Sequence, residues 1–497
     1  MIMQTKVLLI NSITAGVDFY NTDHLYHFPL GLLYLASVLR KNNIEVKIVD
    51  FNNIYCSKAL KGQLRDCTPQ EYIKKNFSYY LGDFAPDIVG VGCIFSGAFA
   101  CAKIIASQAK EFFPNTPVVI GGIHATIFSV EILKECDYID YVCIGEGENT
   151  FLSLIKYLTG GNQTIGNING IAFRKNGEVV KQDKTTFIKD LDTLPPVDFD
   201  ILNLKDYEFD TSGWYSPKKI KIGTPFPILS SRSCPWRCSF CAMWLVQGPT
   251  TRFRTPRHVV DEMQNLYIKH NVRYFSFLDD NLTLDRKRIL AICDEIIKRG
   301  LDIQFDTPNG VAINFLDQEV IDAMVKAGLV KINLSPESGS EYIRNEVMGK
   351  RLKTEKIYEV FQNCAKHNHL YIGAYFIIGM PQETRETLQE TYEMITKLPA
   401  DRVSFSLATP YPGTQLYEYC IEHGLLKYDH AKGYDFKKEY IGTMRPYFKP
   451  YALTEDELME FAAKCENFMK QKRSRIDIPE NYPLRYQDAK ASANFNL

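Results

Sequence analysis

Three cysteines lie within eight residues of one another in this chain, at Cys234, Cys238 and Cys241, with the spacing C-x3-C-x2-C. Soft thiolates at close spacing are typical ligands of zinc or of iron–sulfur clusters. A structural zinc site takes four protein ligands, but the next histidine and cysteine, His258 and Cys293, lie well beyond the loop. Three thiolates suit a four-iron four-sulfur cluster that keeps one iron open for a small molecule. Zinc binding and plain burial of the thiols stay as alternatives, because free cysteine is among the most buried residue types.

The loop resembles the signature of the radical S-adenosylmethionine (SAM) enzymes, including the aromatic Phe240 that precedes its third cysteine. In that family the open iron is chelated by the amino and carboxylate groups of SAM. Reductive cleavage of the sulfonium then releases a 5′-deoxyadenosyl radical. The resemblance implies that the three cysteines bind the cluster and that Phe240 lies near the adenine of SAM.

Composition indicates a soluble protein of two or three domains, since 497 residues allow several separate cores. Its 45% hydrophobic and 24% charged residues are ordinary for globular proteins. A net charge of −1 gives no reason to expect nucleic acid as a partner. Thirteen cysteines without a signal peptide favour a reducing compartment, and no apolar run of about eighteen residues is present to span a bilayer. We therefore expect a cytoplasmic protein without a transmembrane segment.

Residues 6 to 150 alternate short apolar strands with helical patterns, which predicts a parallel sheet with helices on both faces. Ligands of such sheets bind beyond the carboxyl ends of the strands. Three loops of small residues occur at predicted strand ends, namely Ser96-Gly97-Ala98, Gly121-Gly-Ile-His124 and Gly145-Glu-Gly-Glu148. Glycine in such loops lets a ligand approach the backbone closely. From spacing alone the module binds a flavin, a nucleotide or nothing, and His124 is either a ligand or a capped loop histidine.

Together with the segment Pro29-Leu-Gly-Leu-Leu-Tyr-Leu-Ala, these loops resemble the cobalamin-binding domain that precedes the radical core in one large subfamily. The resemblance implies cobalamin contacts at the strand ends, from Ser96, Gly121, Gly122, His124, Glu146 and Gly147. The D-x-H-x-x-G motif, whose histidine ligates cobalt in many cobalamin proteins, is missing, because neither Asp23-His24 nor Asp429-His430 has its spacing. We therefore assign no histidine to the cobalt.

Residues 226–415 repeat the alternation of strand and helix six times. Six repeats are too few for the usual eight-stranded barrel. The resemblance implies the partial, six-stranded barrel of radical SAM proteins, with the cysteine loop after its first strand. Polar segments follow the later strands, at 279–281, 335–340, 379–384 and 409–414. By the same resemblance, Glu337 and Ser338 lie near the ribose or amino group of SAM, and Gly379 allows SAM to approach the backbone.

These patterns predict an α/β chain with four segments. A doubly wound, Rossmann- or flavodoxin-like cobalamin-binding domain is expected at 1–155 and a connector with a β-hairpin at 156–225, where Asn176-Gly177 forms the turn. A partial (β/α)6 radical SAM barrel is expected at 226–415, followed by a mostly helical C-terminal region at 416–497. In that region an amphipathic pattern predicts a helix at 453–469, with Thr454 as its N-cap.

The resemblance implies an enzyme that uses a 4Fe-4S cluster, SAM and cobalamin, with an electron donor such as flavodoxin or ferredoxin. We expect cleavage of SAM and methyl transfer to an unactivated carbon of a small-molecule or lipid-like substrate. A cyclase, oxidase or rearrangement enzyme of the same architecture is the main alternative. A tRNA methylthiotransferase would need three further N-terminal cluster cysteines and a C-terminal RNA-binding β-barrel, and the ordered polar strand ends argue against a corrinoid-binding scaffold.

Overall fold

The computed structural model describes residues 4–14, 28–60, 63–64, 67–208, 225–427 and 452–472. These residues fall into two α/β units, which confirms the predicted class. The first unit contains the described residues up to 208 together with 243–249, and the second contains 225–242, 250–427 and 452–472. The dipeptides Asp23-His24 and Asp429-His430 lie outside the described residues.

The first unit is built on a seven-stranded sheet with the order β2-β1-β3-β4-β5-β6-β7. Strands β1 to β5 are parallel, and their 2-1-3-4-5 order is that of doubly wound, flavodoxin-like folds. Helices cover both faces of such a sheet, so its central strands are apolar on both sides. The strands are β1 (Lys6–Asn11), β2 (Glu45–Asp50), β3 (Ile88–Gly92), β4 (Val118–Gly121), β5 (Tyr141–Cys143), β6 (Ile171–Lys175) and β7 (Glu178–Gln182).

The predicted hairpin forms the edge of this first sheet. Strands β6 and β7 pair antiparallel around Asn176 and Gly177, which have φ values of 52° and 84°. Both residues therefore adopt the left-handed conformation that a two-residue hairpin turn requires. Strand β6 also pairs antiparallel with β5, with Ile171 opposite Cys143, so the hairpin extends the sheet.

Eight α-helices are described in the first unit, and one of them, α3 (Pro69–Leu81), begins with a capping box. The Thr68 hydroxyl accepts a hydrogen bond from the Glu71 amide at 3.3 Å, and the Glu71 carboxylate accepts one from the Thr68 amide at 3.0 Å. This capping box predicts a helix start. The helices are α1 (Leu30–Lys41), α2 (Phe51–Leu60), α3 (Pro69–Leu81), α4 (Phe99–Phe112), α5 (Ile123–Ile127), α6 (Ser129–Glu135), α7 (Gly147–Leu158) and α8 (Met243–Gln247).

The second unit is built on six parallel strands in the order β8-β11-β12-β13-β14-β15, which confirms the predicted partial barrel. Two short strands, β9 and β10, form a separate antiparallel pair. The strands are β8 (Phe226–Ile228), β9 (Ser231–Arg232), β10 (Arg252–Phe253), β11 (Tyr274–Phe277), β12 (Gln304–Val311), β13 (Leu329–Glu337), β14 (Tyr371–Ile378) and β15 (Arg402–Leu407).

Helices alternate with these strands, and a further helix near the C-terminus packs on β15. Thr454 caps that helix, as predicted, because its hydroxyl accepts from the Glu457 amide at 3.2 Å. The ring of Phe461 lies 5.9 Å from that of Phe405 on β15. No helix in the described ranges is long and apolar enough to cross a membrane. The helices are α9 (Pro256–His270), α10 (Arg286–Lys298), α11 (Gln318–Lys326), α12 (Thr354–Ala365), α13 (Arg385–Lys397), α14 (Gln415–Glu422) and α15 (Glu455–Gln471).

Substitution of Gly122 by alanine is expected to destabilise the first unit. Gly122 has a φ of 111°, and a Cβ at this position would lie 2.4 Å from the carbonyl oxygen of Cys93. Backbone strain of this kind costs about 1–3 kcal/mol, and a core clash costs a similar amount. We expect Gly122→Ala to lower the free energy of unfolding by about 3 kcal/mol in urea denaturation.

Gly31→Ala is the matched control for this prediction. Gly31 lies in the first turn of α1, and an added Cβ meets no atom within 4 Å. Alanine has the higher helix propensity, so this variant should be as stable as the wild type or slightly more stable. Equal unfolding free energies for the two variants would contradict the clash at Gly122.

Candidate functional site

The stem of the cysteine loop is bound by one buried carboxylate. Asp279 follows β11 and is 2% exposed. Its carboxylate accepts hydrogen bonds from the Ser230 amide at 3.1 Å, the Ser230 hydroxyl at 2.7 Å and the Ser231 hydroxyl. Ser231 belongs to β9, which pairs with β10. The chain is therefore fixed immediately before it enters the loop.

The loop itself is tied to two other segments of the second unit. The Ser239 amide donates to the Met348 carbonyl at 3.0 Å, and the Ser239 carbonyl accepts from the Leu416 amide at 2.9 Å. Within the loop, the Cys241 amide donates to the Cys238 carbonyl at 3.0 Å. The backbone that bears the cysteines is thus held on both sides and closed by a turn.

The three loop thiols differ in exposure from most other cysteines of the chain. Nine of the thirteen cysteines are buried, and of the four partly exposed ones three are Cys234, Cys238 and Cys241. Burial raises the pKa of the Cys234 and Cys238 thiols. Over the described residues, no three His, Cys, Asp or Glu side chains are arranged to hold a single metal ion. A cluster binds each thiolate through a different iron, so three accessible thiols in one fixed loop fit a 4Fe-4S cluster.

Asp280 lies beside this loop, in the polar segment 279–281 that the sequence predicts at a strand end, although the sequence alone assigns it no role. Burial, followed by the neighbouring Asp279 carboxylate, raises the pKa of Asp280 to about 6. Its Oδ2 atom is buried without a hydrogen-bond partner in the described part of the chain. The carboxyl group also acts electrostatically on the Cys234 thiol. Two consecutive acids at the end of a barrel strand indicate a place where such enzymes put their chemistry, but the raised pKa of Asp280 depends on its burial in the fold.

Glu337 and Ser338, predicted near SAM, lie together at the end of β13. Glu337 has a φ of 66°, a left-handed conformation that is rare for a residue with a side chain. Its carboxylate is buried and lies 2.6 Å from the Lys350 ammonium. The Ser338 hydroxyl is fully buried, 3.3 Å from the Thr391 hydroxyl, and accepts from the Ser340 amide at 3.2 Å. Ser338 therefore already serves to shape the strand end.

Gly379, also predicted near SAM, follows β14 with a φ of 82°. Its amide donates to Oε2 of Glu383 at 2.5 Å. Burial raises the pKa of Glu383 to about 8, and its Oε1 atom is buried without a hydrogen-bond partner among the residues described. Glu383 belongs to the polar segment 379–384 predicted at this strand end, but the sequence alone assigns it no role. Phe240, the fourth SAM candidate, is partly buried against the apolar cluster around Met348.

His124 and Ser96, both predicted to contact cobalamin, are brought together at the carboxyl edge of the first sheet. The His124 Nδ1 atom lies 2.9 Å from the Ser96 hydroxyl. The imidazole is 1% exposed and packs against Phe99 and Phe128 at 4.5 and 4.8 Å between ring centroids. Burial lowers the pKa of His124 to about 3, so the ring is neutral. His124 therefore positions the loop of Ser96 relative to Gly121 and Gly122.

Glu146 and Gly147 form the neighbouring loop after β5. The Glu146 carboxylate accepts from the Ile188 amide at 3.0 Å, and its carbonyl accepts from the Lys184 ammonium at 2.9 Å. A Cβ at Gly147 would lie 3.2 Å from a Leu35 methyl group. The loop is thus held by its own unit, independently of any ligand.

The same edge of the sheet exposes apolar surface. Ile94 and Phe95 lie just beyond the end of β3, next to Ser96, and are 40% and 61% exposed. Exposed large apolar side chains at the carboxyl end of a parallel strand suit a ligand with a broad apolar face. The corrin ring of cobalamin is such a ligand, so the residues present fit it.

Two family profiles match the two units described above. The profile of the B12 binding domain matches residues 21–155, and that of the radical SAM superfamily matches residues 228–395. The chain is also 34% identical over 399 residues to the uncharacterized methyltransferase PH0819 of Pyrococcus horikoshii, covering 80% of this chain and 79% of the relative. The chain belongs to the radical SAM enzymes that have a B12-binding domain. Its cofactors are a 4Fe-4S cluster, SAM and cobalamin.

Other similarities extend across this radical SAM enzyme family. The chain is 32% identical over 384 residues to the anaerobic magnesium-protoporphyrin IX monomethyl ester cyclase of Cereibacter sphaeroides, covering 76% of this chain and 59% of that relative. Among solved structures, the radical SAM methyltransferase TsrM of Kitasatospora setae, with cobalamin and a 4Fe-4S cluster bound, superposes with a TM-score of 0.65. It is 19% identical and the match covers 85% of this chain and 75% of TsrM, which shows a shared fold.

Glu383→Gln is expected to change how stability depends on pH. A carboxyl group whose pKa is about 8 in the folded protein and near its ordinary value of 4.5 in the unfolded chain contributes its full stabilisation at low pH. That contribution is lost as the pH rises towards 8, by no more than about 1.4 kcal/mol per pH unit. Glutamine can still accept from the Gly379 amide but cannot ionise. Urea denaturation from pH 5 to 8 should therefore show the variant gaining stability relative to the wild type, and a constant difference would contradict this assignment.

Proposed function

We propose that this enzyme transfers a methyl group to an unactivated carbon of a small-molecule or lipid-like substrate. The observation that supports this most directly is the fixed loop that presents three partly exposed thiols, in a chain that is 34% identical to a protein named as a methyltransferase. When bound, the cluster with SAM supplies one-electron cleavage to an organic radical, and cobalamin supplies a methyl group. An electron donor such as flavodoxin or ferredoxin completes the proposal.

In this proposal the second unit binds the cluster and SAM. Cys234, Cys238 and Cys241 are the three proposed cluster ligands, and the loop from 234 to 244 contains no further cysteine, histidine or acidic residue. Glu337 offers a carboxylate acceptor to the ribose or ammonium group of SAM. Backbone atoms beside Gly379, together with Ser338 and Phe240, form the remaining contacts proposed for SAM. Support for these assignments is that their strands are parallel and end on one edge.

The first unit is proposed to bind cobalamin at the carboxyl edge of its sheet. The proposed contacts come from three loops and comprise Ser96, Gly121, Gly122, His124, Glu146 and Gly147. Because His124 is buried and bonded to Ser96, we propose that it orients the loop and does not ligate cobalt. The exposed Ile94 and Phe95 would pack against the corrin ring.

Ring formation is the second candidate function. The similarity to the magnesium-protoporphyrin monomethyl ester cyclase is nearly as high in identity, at 32%, but this chain spans only 59% of that relative. PH0819, in contrast, is matched over 79% of its length. The larger matched share of PH0819 favours methyl transfer. The two functions can be told apart by their products.

Replacement of Cys234, Cys238 and Cys241 by alanine should abolish cluster binding. After anaerobic reconstitution with iron and sulfide, we expect about four iron atoms per chain in the wild type and few in the triple variant. Cys293→Ala is the matched control, because Cys293 is a buried thiol in α10 and should have no effect on iron content. Both variants should still retain hydroxocobalamin after desalting. Full iron content in the triple variant would exclude these cysteines as the ligands.

Methyl transfer and cyclisation can be separated by the products formed from SAM. A cobalamin-dependent methyltransferase that uses SAM twice should release S-adenosylhomocysteine as well as 5′-deoxyadenosine under strong reductant. A cyclase should release only 5′-deoxyadenosine. Mass spectrometry of the reconstituted, cobalamin-loaded enzyme measures both, and the cobalamin-free enzyme is the control that should lose S-adenosylhomocysteine alone. Absence of S-adenosylhomocysteine from the loaded enzyme would favour the cyclase.

A further inference from the structure

Lys350 and Glu337 form an ion pair that is buried in the second unit. The lysine ammonium lies 2.6 Å from the glutamate carboxylate, and the two side chains are only 17% and 9% exposed. Removing two charges from water is costly and does not by itself stabilise a fold. A pair in such a position therefore calls for an explanation other than stability.

The pair lies beside the backbone that bears Cys238. Met348, two residues before Lys350, accepts a hydrogen bond from the Ser239 amide at 3.0 Å. A Cβ at Gly349 would lie 4.0 Å from the Arg237 carbonyl oxygen. The segment that ends in Lys350 thus runs against the residues on either side of Cys238.

A buried arginine fixes the pair in this position. Arg344 is fully buried, and its guanidinium donates to the carbonyls of Ser338 at 2.7 Å and Leu352 at 2.8 Å. Its own carbonyl accepts from the Lys350 amide at 3.0 Å. Arg344 therefore connects the residue after Glu337 to the residues around Lys350. The two charges cannot exchange freely with solvent partners as a surface pair would.

The two charges of the pair act with opposite signs on negative charge at Cys238. Burial alone would lower the pKa of the Lys350 ammonium, but the Glu337 carboxylate and the nearby Cys238 thiol together raise it, so lysine stays charged. Because the segment that ends in Lys350 runs against the residues on either side of Cys238, the ammonium attracts and the Glu337 carboxylate repels negative charge there. The cation therefore favours negative charge at the loop, and the anion opposes it. Reduction of a cluster adds one negative charge at the same place.

We propose that the Lys350–Glu337 pair positions opposite charges that set the reduction potential of the cluster on Cys234, Cys238 and Cys241. The inference rests on the proposed function, because it requires these cysteines to hold the cluster. In the step concerned, the cluster gains one electron from a reductant such as dithionite or a reduced flavodoxin, and no bond is made or broken. Lys350 favours this reduction and Glu337 opposes it.

The test is an anaerobic redox titration of the reconstituted enzyme without SAM, followed by electron paramagnetic resonance of the reduced cluster. Lys350→Met removes the cation and should make the midpoint potential more negative. Glu337→Gln removes the anion and should make it more positive. We expect each change to alter the ratio of reduced to oxidised cluster at a given potential by about tenfold, which is about 59 mV for one electron.

Two further variants separate an electrostatic role from a structural one. Lys350→Arg keeps the charge and should restore a potential near that of the wild type. The double variant, Lys350→Met with Glu337→Gln, contains no unpaired buried charge, so it should fold and give a potential between those of the single variants. Because SAM is absent, weaker SAM binding cannot produce these shifts.

The outcomes distinguish this inference from the proposed function. If the wild type takes up no iron, both are overturned. If all variants contain a full cluster but their potentials agree, or if both single variants shift in the same direction, the charge pair does not set the potential while the cluster assignment stands. Opposite shifts with equal iron content support the inference.

Discussion

The parallel alignment of strands is the constraint on which both candidate sites depend. In a parallel sheet every strand delivers its carboxyl end to the same edge, so residues far apart in sequence become neighbours there. The second unit places the cysteine loop after β8, Asp279 after β11, Glu337 at the end of β13 and Gly379 after β14. The backbone hydrogen bonds of the sheet therefore bring these residues to one edge, whatever contacts their side chains make there.

Polar side chains then give this edge a definite shape. Asp279 binds the stem of the cysteine loop, Glu383 holds the Gly379 amide and Arg344 ties together the residues around Glu337 and Lys350. Each of these groups is buried, where a hydrogen bond is stronger and an unmade one more costly than in water. These hydrogen bonds fix the conformation of the backbone at the strand ends. A cofactor site at these ends needs that fixed conformation.

The strands could be predicted from the sequence because the order of apolar and polar residues within each segment is enough to indicate a strand. The run at 371–378 is almost wholly apolar and is followed by Gly379, and residues 402–407 alternate polar and apolar side chains; these two runs are β14 and β15 of the sheet. Helix α3 likewise has a local signal, because the capping box of Thr68 and Glu71 lies in the sequence around its first turn. The roles of Lys350, Glu383 and Asp280 could not be predicted, because each depends on a partner or an environment fixed by the tertiary fold.

The reason for a glycine at a strand end cannot be read from the sequence alone. Gly121 and Gly122 lie at a strand end, and that place suggests close approach of a cofactor. In the structure, the position that a Cβ of Gly122 would occupy is already taken by the Cys93 carbonyl. The glycine is therefore required by the packing of β4 against the chain that leaves β3, whether or not a ligand is bound. A glycine at a functional edge can thus serve the fold first, and its value to a ligand site lies in the loop geometry that it permits.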